Sequence, residues 1–209
     1  MKNLKILLSA ITTSFFTILS CNKDSELVSL SSVEGTHLSL TKVNNLIPDV
    51  YQGAEKVTFK NKENQLVELN VFYEQEVEER ILGENIEYTS ESVSATLFNY
   101  QENIEIVVSA SANYNDNSLE VLETLNVILM PGYNSVGGGW ISLLYKDSEL
   151  MEFDTFTEEL DLLDRPFNNV YVNKLNSDLQ TEYSEIYYNA DYGVIGFKDK
   201  FNELWVLED

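Results

Sequence analysis

Ile104-Glu105-Ile106-Val107-Val108-Ser109-Ala110-Ser111-Ala112 is the stretch whose reading decides the fold. Ile104, Ile106, Val108, Ala110 and Ala112 recur at every second residue, so an extended backbone puts all five on one face and turns Glu105, Ser109 and Ser111 to the other. Asn99 to Asn103 precede the run and Asn115-Asp116-Asn117-Ser118 follow it, and both are turn-forming clusters. The stretch predicts a β-strand with one buried face, closed by a turn at each end.

The same pattern extends in both directions. Val57-Thr58-Phe59 leads into the turn cluster Asn61-Lys62-Glu63-Asn64, after which Val67, Leu69, Val71 and Tyr73 share a face. Leu119 to Met130 is a longer apolar run that ends at Pro131-Gly132, followed by Trp140–Tyr145, Glu149–Phe153 and Phe167–Val172. Ser184–Tyr188, Val194–Phe197 and Leu204–Leu207 form a closing meander with short loops, which join antiparallel neighbours. The expectation is an all-β domain, an antiparallel β-sandwich or partly open barrel of short strands with hairpin turns. One short helix is expected, Thr157–Leu163, because Phe156, Leu160 and Leu163 fall at three- to four-residue spacing and Pro166 stops the run. Residues 36–209 read as a single domain with a weak sub-boundary near 154–166. Residues 21–35, with Ser25, Ser29, Ser31, Ser32 and Gly35, read as a tether.

Composition excludes several classes. The 209 residues carry a formal net charge of -22, with 35 acidic against 13 basic residues. That balance argues against nucleic acid as a partner, since a phosphate backbone needs Lys and Arg to displace its counterions. Hydrophobic residues at 44% are too many for a disordered acidic chain. The single cysteine and single histidine rule out an intramolecular disulfide and any zinc site built on several such ligands.

The chain opens with Met1-Lys2-Asn3-Leu4-Lys5, an apolar stretch from Ile6 to Leu19, and then Ser20-Cys21. The apolar stretch is 14 residues, short of the roughly 20 that a membrane-spanning helix needs, and reads as a removable signal over residues 1–20. Ile18-Leu19-Ser20-Cys21 resembles the lipobox of bacterial lipoproteins. The resemblance implies a diacylglycerol on Cys21, cleavage before it and acylation of the new N-terminus, and so a partner in the membrane. Lys23-Asp24-Ser25-Glu26 resembles a short export tag of Gram-negative lipoproteins, with the periplasmic or extracellular face of the outer membrane left open. The closing Tyr187-Tyr188-Asn189, Gly193-Val194-Ile195-Gly196-Phe197-Lys198-Asp199 and Leu204-Trp205-Val206-Leu207 are similar to the ends of small all-β lipoproteins. No catalytic residues come with that similarity.

Candidate chemistry is sparse. A hydroxyl triad would have to use His37, and no Gly-x-Ser-x-Gly surrounds any serine. A carboxylate pair for glycoside hydrolysis will occur by chance among 35 acids and carries no signal without geometry. The loop from Pro131 through Gly137-Gly138-Gly139 has no Walker or dinucleotide pattern; it reads as a hairpin connection, or as a loop presenting Tyr133 and Trp140 to a ligand. Residues 147–164 hold eight acids and no base before Arg165, with Asp154, Glu158 and Asp161 as candidate calcium ligands, although such runs usually only face water. Glu74, Glu76 and Glu78 alternate, as on an exposed or edge strand. Tyr187, Tyr188 and Tyr192 form the most suggestive exposed aromatic set, with Tyr187 and Tyr188 on opposite faces. No cofactor is implied beyond candidate calcium. The leading reading is an outer-membrane lipoprotein with a non-catalytic binding or structural β domain for an envelope protein or glycan. Its competitors are a surface-polymer hydrolase using a carboxylate pair and a lipid or small-ligand carrier. A flat aromatic patch favours the binder, close carboxylates in a pocket the hydrolase, and an apolar cavity the carrier.

Overall fold

A computed structural model describes residues 34–82, 86–115, 118–131, 139–146, 149–151, 155–174, 185–199 and 201–208. Its strands, in chain order, are β1 (His37–Leu38), β2 (Lys56–Asn61), β3 (Leu66–Leu82), β4 (Ile86–Asn99), β5 (Ile104–Tyr114), β6 (Val121–Pro131), β7 (Trp140–Lys146), β8 (Glu149–Met151), β9 (Thr155–Leu162), β10 (Arg165–Lys174), β11 (Glu185–Asn189), β12 (Gly193–Lys198) and β13 (Leu204–Leu207). Among the described residues there is no α-helix; two 3-10 turns, Val43–Leu46 and Asp49–Tyr51, follow β1.

One antiparallel sheet runs in the order β8-β7-β6-β5-β4-β3-β2-β13-β12-β11-β10-β9, with β1 added in parallel to β4. The chain therefore meanders outward from β2 to β8, crosses to the far edge at β9, and meanders back until β13 pairs with β2. The sheet curls into an open half-barrel. Its two ends approach each other: Asn173 Nδ2 donates to the Trp140 carbonyl, and a side chain at Gly139 would meet Ile186 at 3.0 Å.

The decisive stretch is β5, buried at alternate positions as its sequence requires. Ile106, Val108 and Ala110 line the concave face with Val93, Ala95 and Leu97 of β4, Leu125, Val127 and Leu129 of β6, and Ile141 and Leu143 of β7, all buried. The segment between β1 and β2 fills the curl, burying Val43, Ile47 and Tyr51. Each large aliphatic side chain buried this way stabilises by roughly 1.5–3 kcal/mol. The Tyr51 hydroxyl accepts the Val194 N–H at 2.7 Å. Gly193 makes that reach possible, since its φ is +79° and a Cβ there would lie 2.1 Å from the tyrosine oxygen. A smaller cluster joins Leu162, Phe167, Val170, Val172, Tyr187, Ile195 and Val206.

Two expectations need correction. Thr157–Leu163 is not a helix but belongs to β9 and its turn. Leu163 and Asp164, with φ of +49° and +64°, form a two-residue hairpin turn between the paired Leu162 and Arg165. Positive φ at both centres marks the primed turn that suits hairpin twist, here without the Asn-Gly that normally announces it. Pro166 sits in β10 where only β9 pairs with it, so its missing N–H costs no ladder bond. Second, Tyr187 and Tyr188 are buried, not exposed, and occupy the smaller and the larger cluster respectively. Only Tyr192 of that set is exposed.

Candidate functional site

The register of β4 to β7 fixes what stands beside what on the outer, convex face. Ser92, Ser111, Thr124 and Leu144 form one row across the four strands. Ser94, Ser109, Asn126 and Ser142 form the next, and Thr96, Val107, Ile128 and Trp140 the third. β3 extends this last row with Phe72, opposite Thr96, and the other two with Glu74, opposite Ser94, and Glu76, opposite Ser92, while Ser92 Oγ donates to Glu78 at 3.1 Å. Strands lie about 4.8 Å apart, so the row from Phe72 to Trp140 crosses roughly 19 Å. Phe72 is 56% exposed and Trp140 55%, one aromatic at each end.

None of those twelve β4–β7 positions carries an ionisable side chain, in a protein where 23% of residues are charged. All twelve are at least partly exposed. Folding demands no such composition on a solvated sheet face, where Lys, Glu and Thr serve equally well. The hydroxyls and amides are already ordered. Ser142 Oγ donates to Asn126 Oδ1 at 3.0 Å, and the Trp140 indole N–H approaches the same oxygen at 3.4 Å. Ser111 and Thr124 hydroxyls lie 3.1 Å apart, and Asn113 Nδ2 donates to Ser111 at 3.1 Å. The face thus offers neutral donors and acceptors on rigid strands, with aromatic planes at its margins. On β4 to β7 it suits a flat, uncharged, hydroxyl-bearing ligand, and these twelve positions give an ionic one no counter-charge.

Four carboxylates on the sheet stand in other settings. Glu123 points inward from β6 and is buried. Its carboxylate accepts the N–H groups of Thr41, Lys42 and Val43 at 2.9, 2.7 and 3.1 Å, and the Thr41 hydroxyl as well at 2.5 Å. Burial alone would raise its pKa, but those four donors outweigh it and hold the group below the ordinary glutamate value. It pins the N-terminal segment into the curl. Glu91 does the same further out: one oxygen accepts the Leu40 N–H at 2.9 Å and the other lies 3.3 Å from His37 Nε2, while His37 Nδ1 meets Thr89 Oγ1 at 2.9 Å. This hydroxyl–imidazole–carboxylate line lies across the β1–β4 pairing and fastens it. Glu74 and Glu76, on the exposed edge of β3, press on each other, so the hydrogen bond and charge of Glu74 raise the Glu76 pKa.

Trp140 is the one ligand-binding candidate that falls on the outer face; Tyr133 lies outside the described residues. Of the calcium candidates, Asp154 lies outside them too. Glu158 and Asp161 sit on β9, three residues apart, so the strand turns them to opposite faces. Among the described residues no group of three His, Cys, Asp or Glu side chains comes together as a metal site. Cys21 also lies outside the described residues. The outer-face residues other than Trp140 do have a sequence signal: Ser92-x-Ser94-x-Thr96 and Ser109-x-Ser111 put small hydroxyls at the outward positions of strong strands. Glu123 has one as well, being the single acid in phase with Leu125, Val127 and Leu129. No family model matches the chain, and neither does any curated protein or solved structure.

Proposed function

We propose that this chain is an outer-membrane lipoprotein anchored through Cys21, whose β domain is a non-catalytic module binding a neutral glycan along the outer face of β4 to β7, with Phe72 of β3 at its border. The observation that carries the reading is the uncharged outer face of β4 to β7, rich in Ser, Thr and Asn and ended along one row by Phe72 and Trp140, in a chain of net charge -22. Sugar rings present apolar faces to aromatic planes and hydroxyls to hydroxyl and amide groups, and a row that crosses five strands accommodates an extended chain. Rigid strands reduce the ordering cost of binding. The hydrolase alternative would use two carboxylates about 5–10 Å apart in a cavity, whereas Glu74 and Glu76, which perturb each other, lie on an exposed strand edge.

Affinity electrophoresis in gels cast with neutral polysaccharides tests the module. We expect retardation by at least one β-linked neutral polymer that persists in 0.5 M sodium chloride and is lost in Phe72→Ala/Trp140→Ala. Equal retardation of the double variant, or retardation by anionic polymers alone, would sink the reading. Labelling with a radioactive fatty acid tests the anchor separately, since incorporation that survives Cys21→Ser would remove it.

A further inference from the structure

β3 pairs with β4 from Asn70 to Leu82, but with β2 only from Leu66 to Asn70. Among the described residues no strand covers the β2 side of β3 beyond that point. The Val71 N–H bonds to Glu55 on the β2 side at 3.0 Å. Backbone direction alternates along a strand, so Gln75, Val77, Glu79 and Ile81 turn their N–H and C=O groups to the same side, where the edge is open. Such an edge is a template for another strand. We propose that it receives an extended segment of a partner protein in which Lys or Arg alternate with apolar residues.

The two faces of the edge specify that alternation. Glu74, Glu76 and Glu78 project from one face of β3, and Val77 and Ile81, 61% and 67% exposed, from the other. Guarding the edge against self-association accounts for the glutamates, because a second copy would set acid against acid. It does not account for two large aliphatic side chains left in water beside them. A partner strand lying along the edge sets its odd residues against one face and its even residues against the other, so cations meet the glutamates while apolar side chains cover Val77 and Ile81. Glu78 already has Arg80 at 2.8 Å and Ser92 at 3.1 Å. Glu74 and Glu76 therefore supply the charge, and a cation between them relieves their mutual repulsion.

The test uses a fluorescent nine-residue peptide of alternating Lys and Val, read by anisotropy at 150 mM salt against the full chain. Two controls have the same composition: one with the lysines in a block, one alternating but N-methylated at every second residue. The alternating peptide should bind at least tenfold more tightly than either control, and Glu74→Gln/Glu76→Gln should weaken it at least fivefold. Val77→Pro, which removes an outward N–H and no β3–β4 bond, should weaken it similarly. Equal binding of the alternating, block and N-methylated peptides would show charge attraction alone and overturn the proposal, as would no binding of the alternating peptide.

Discussion

The strands β4 to β7 have two faces built by the same alternation, yet only one of them is explained by folding. On the concave face Leu97, Ile106, Leu125, Leu129 and Ile141 are fully buried, and any large aliphatic set of equal volume would satisfy the same demand. On the convex face the twelve positions are all at least partly exposed, and still they exclude charge and favour small hydroxyls. A residue choice that packing does not require is where function shows in a structure without a bound ligand. The difference can be broken or sharpened by substitution on each side.

The largest effect belongs to the concave face. Leu97→Ala and Leu129→Ala each remove a fully buried side chain from the middle of the curl. Each should cost about 3–4 kcal/mol, read as a fall in the denaturant midpoint at constant slope. A loss under about 1 kcal/mol would mean that the concave face is loosely packed and that the contrast between faces is false.

Next comes Glu123, a carboxylate turned inward from β6. Glu123→Gln replaces a charge-assisted acceptor of four donors and should cost about 2 kcal/mol at neutral pH. Its folded pKa lies below the unfolded value of about 4.3, so its stabilisation is fully present above that value and is lost as pH falls through the folded pKa. The stability difference between wild type and Glu123→Gln should therefore be flat from pH 7 to about 5 and shrink below about 4. A difference that grows on acidification would contradict the assignment of the carboxylate as the pin.

On the convex face the expected pattern reverses. Ser109→Glu should change stability by less than about 0.5 kcal/mol, as surface substitutions usually do, yet reduce neutral-glycan binding at least tenfold. If binding survives a charge placed at the centre of the field, its neutrality has no bearing on the ligand.

How much of this was legible beforehand differs by level. The antiparallel all-β fold follows from period-two runs such as Ile104 to Ala112, because burial of one face imposes that period whatever the topology. The order of the sheet was not legible, since the pairing of β13 with β2 joins Val206 to Lys60 and no local signal reports it. Nor was β9. Phe156, Leu160 and Leu163 match a helical stripe by coincidence, whereas the strand buries Leu162, and in the Leu163-Asp164 turn only Asp164 is a usual turn residue. Trp140 could be named from sequence as an aromatic beside a glycine-rich loop. The rows that border it could not, because they are assembled across four strands by register.

The smallest expected effect concerns the acidic run at 147–164. A divalent cation bound only by the folded state raises the melting temperature by mass action, while simple salt raises it by screening repulsion. The sequence supplies eight acids there, but a strand separates what a helix would have gathered: Glu158 and Asp161 face opposite ways from β9. Calcium requires several oxygens converging at 2.3–2.6 Å, which two carboxylates on opposite faces cannot provide together. Millimolar calcium and sodium chloride of matched ionic strength should therefore give the same melting temperature, and Asp154→Asn/Glu158→Gln/Asp161→Asn should alter neither response relative to the other. A calcium-specific rise that this triple variant abolishes would show that Asp154 completes a site with one of the two, and would move the chemistry of the molecule from its neutral face to its acidic edge.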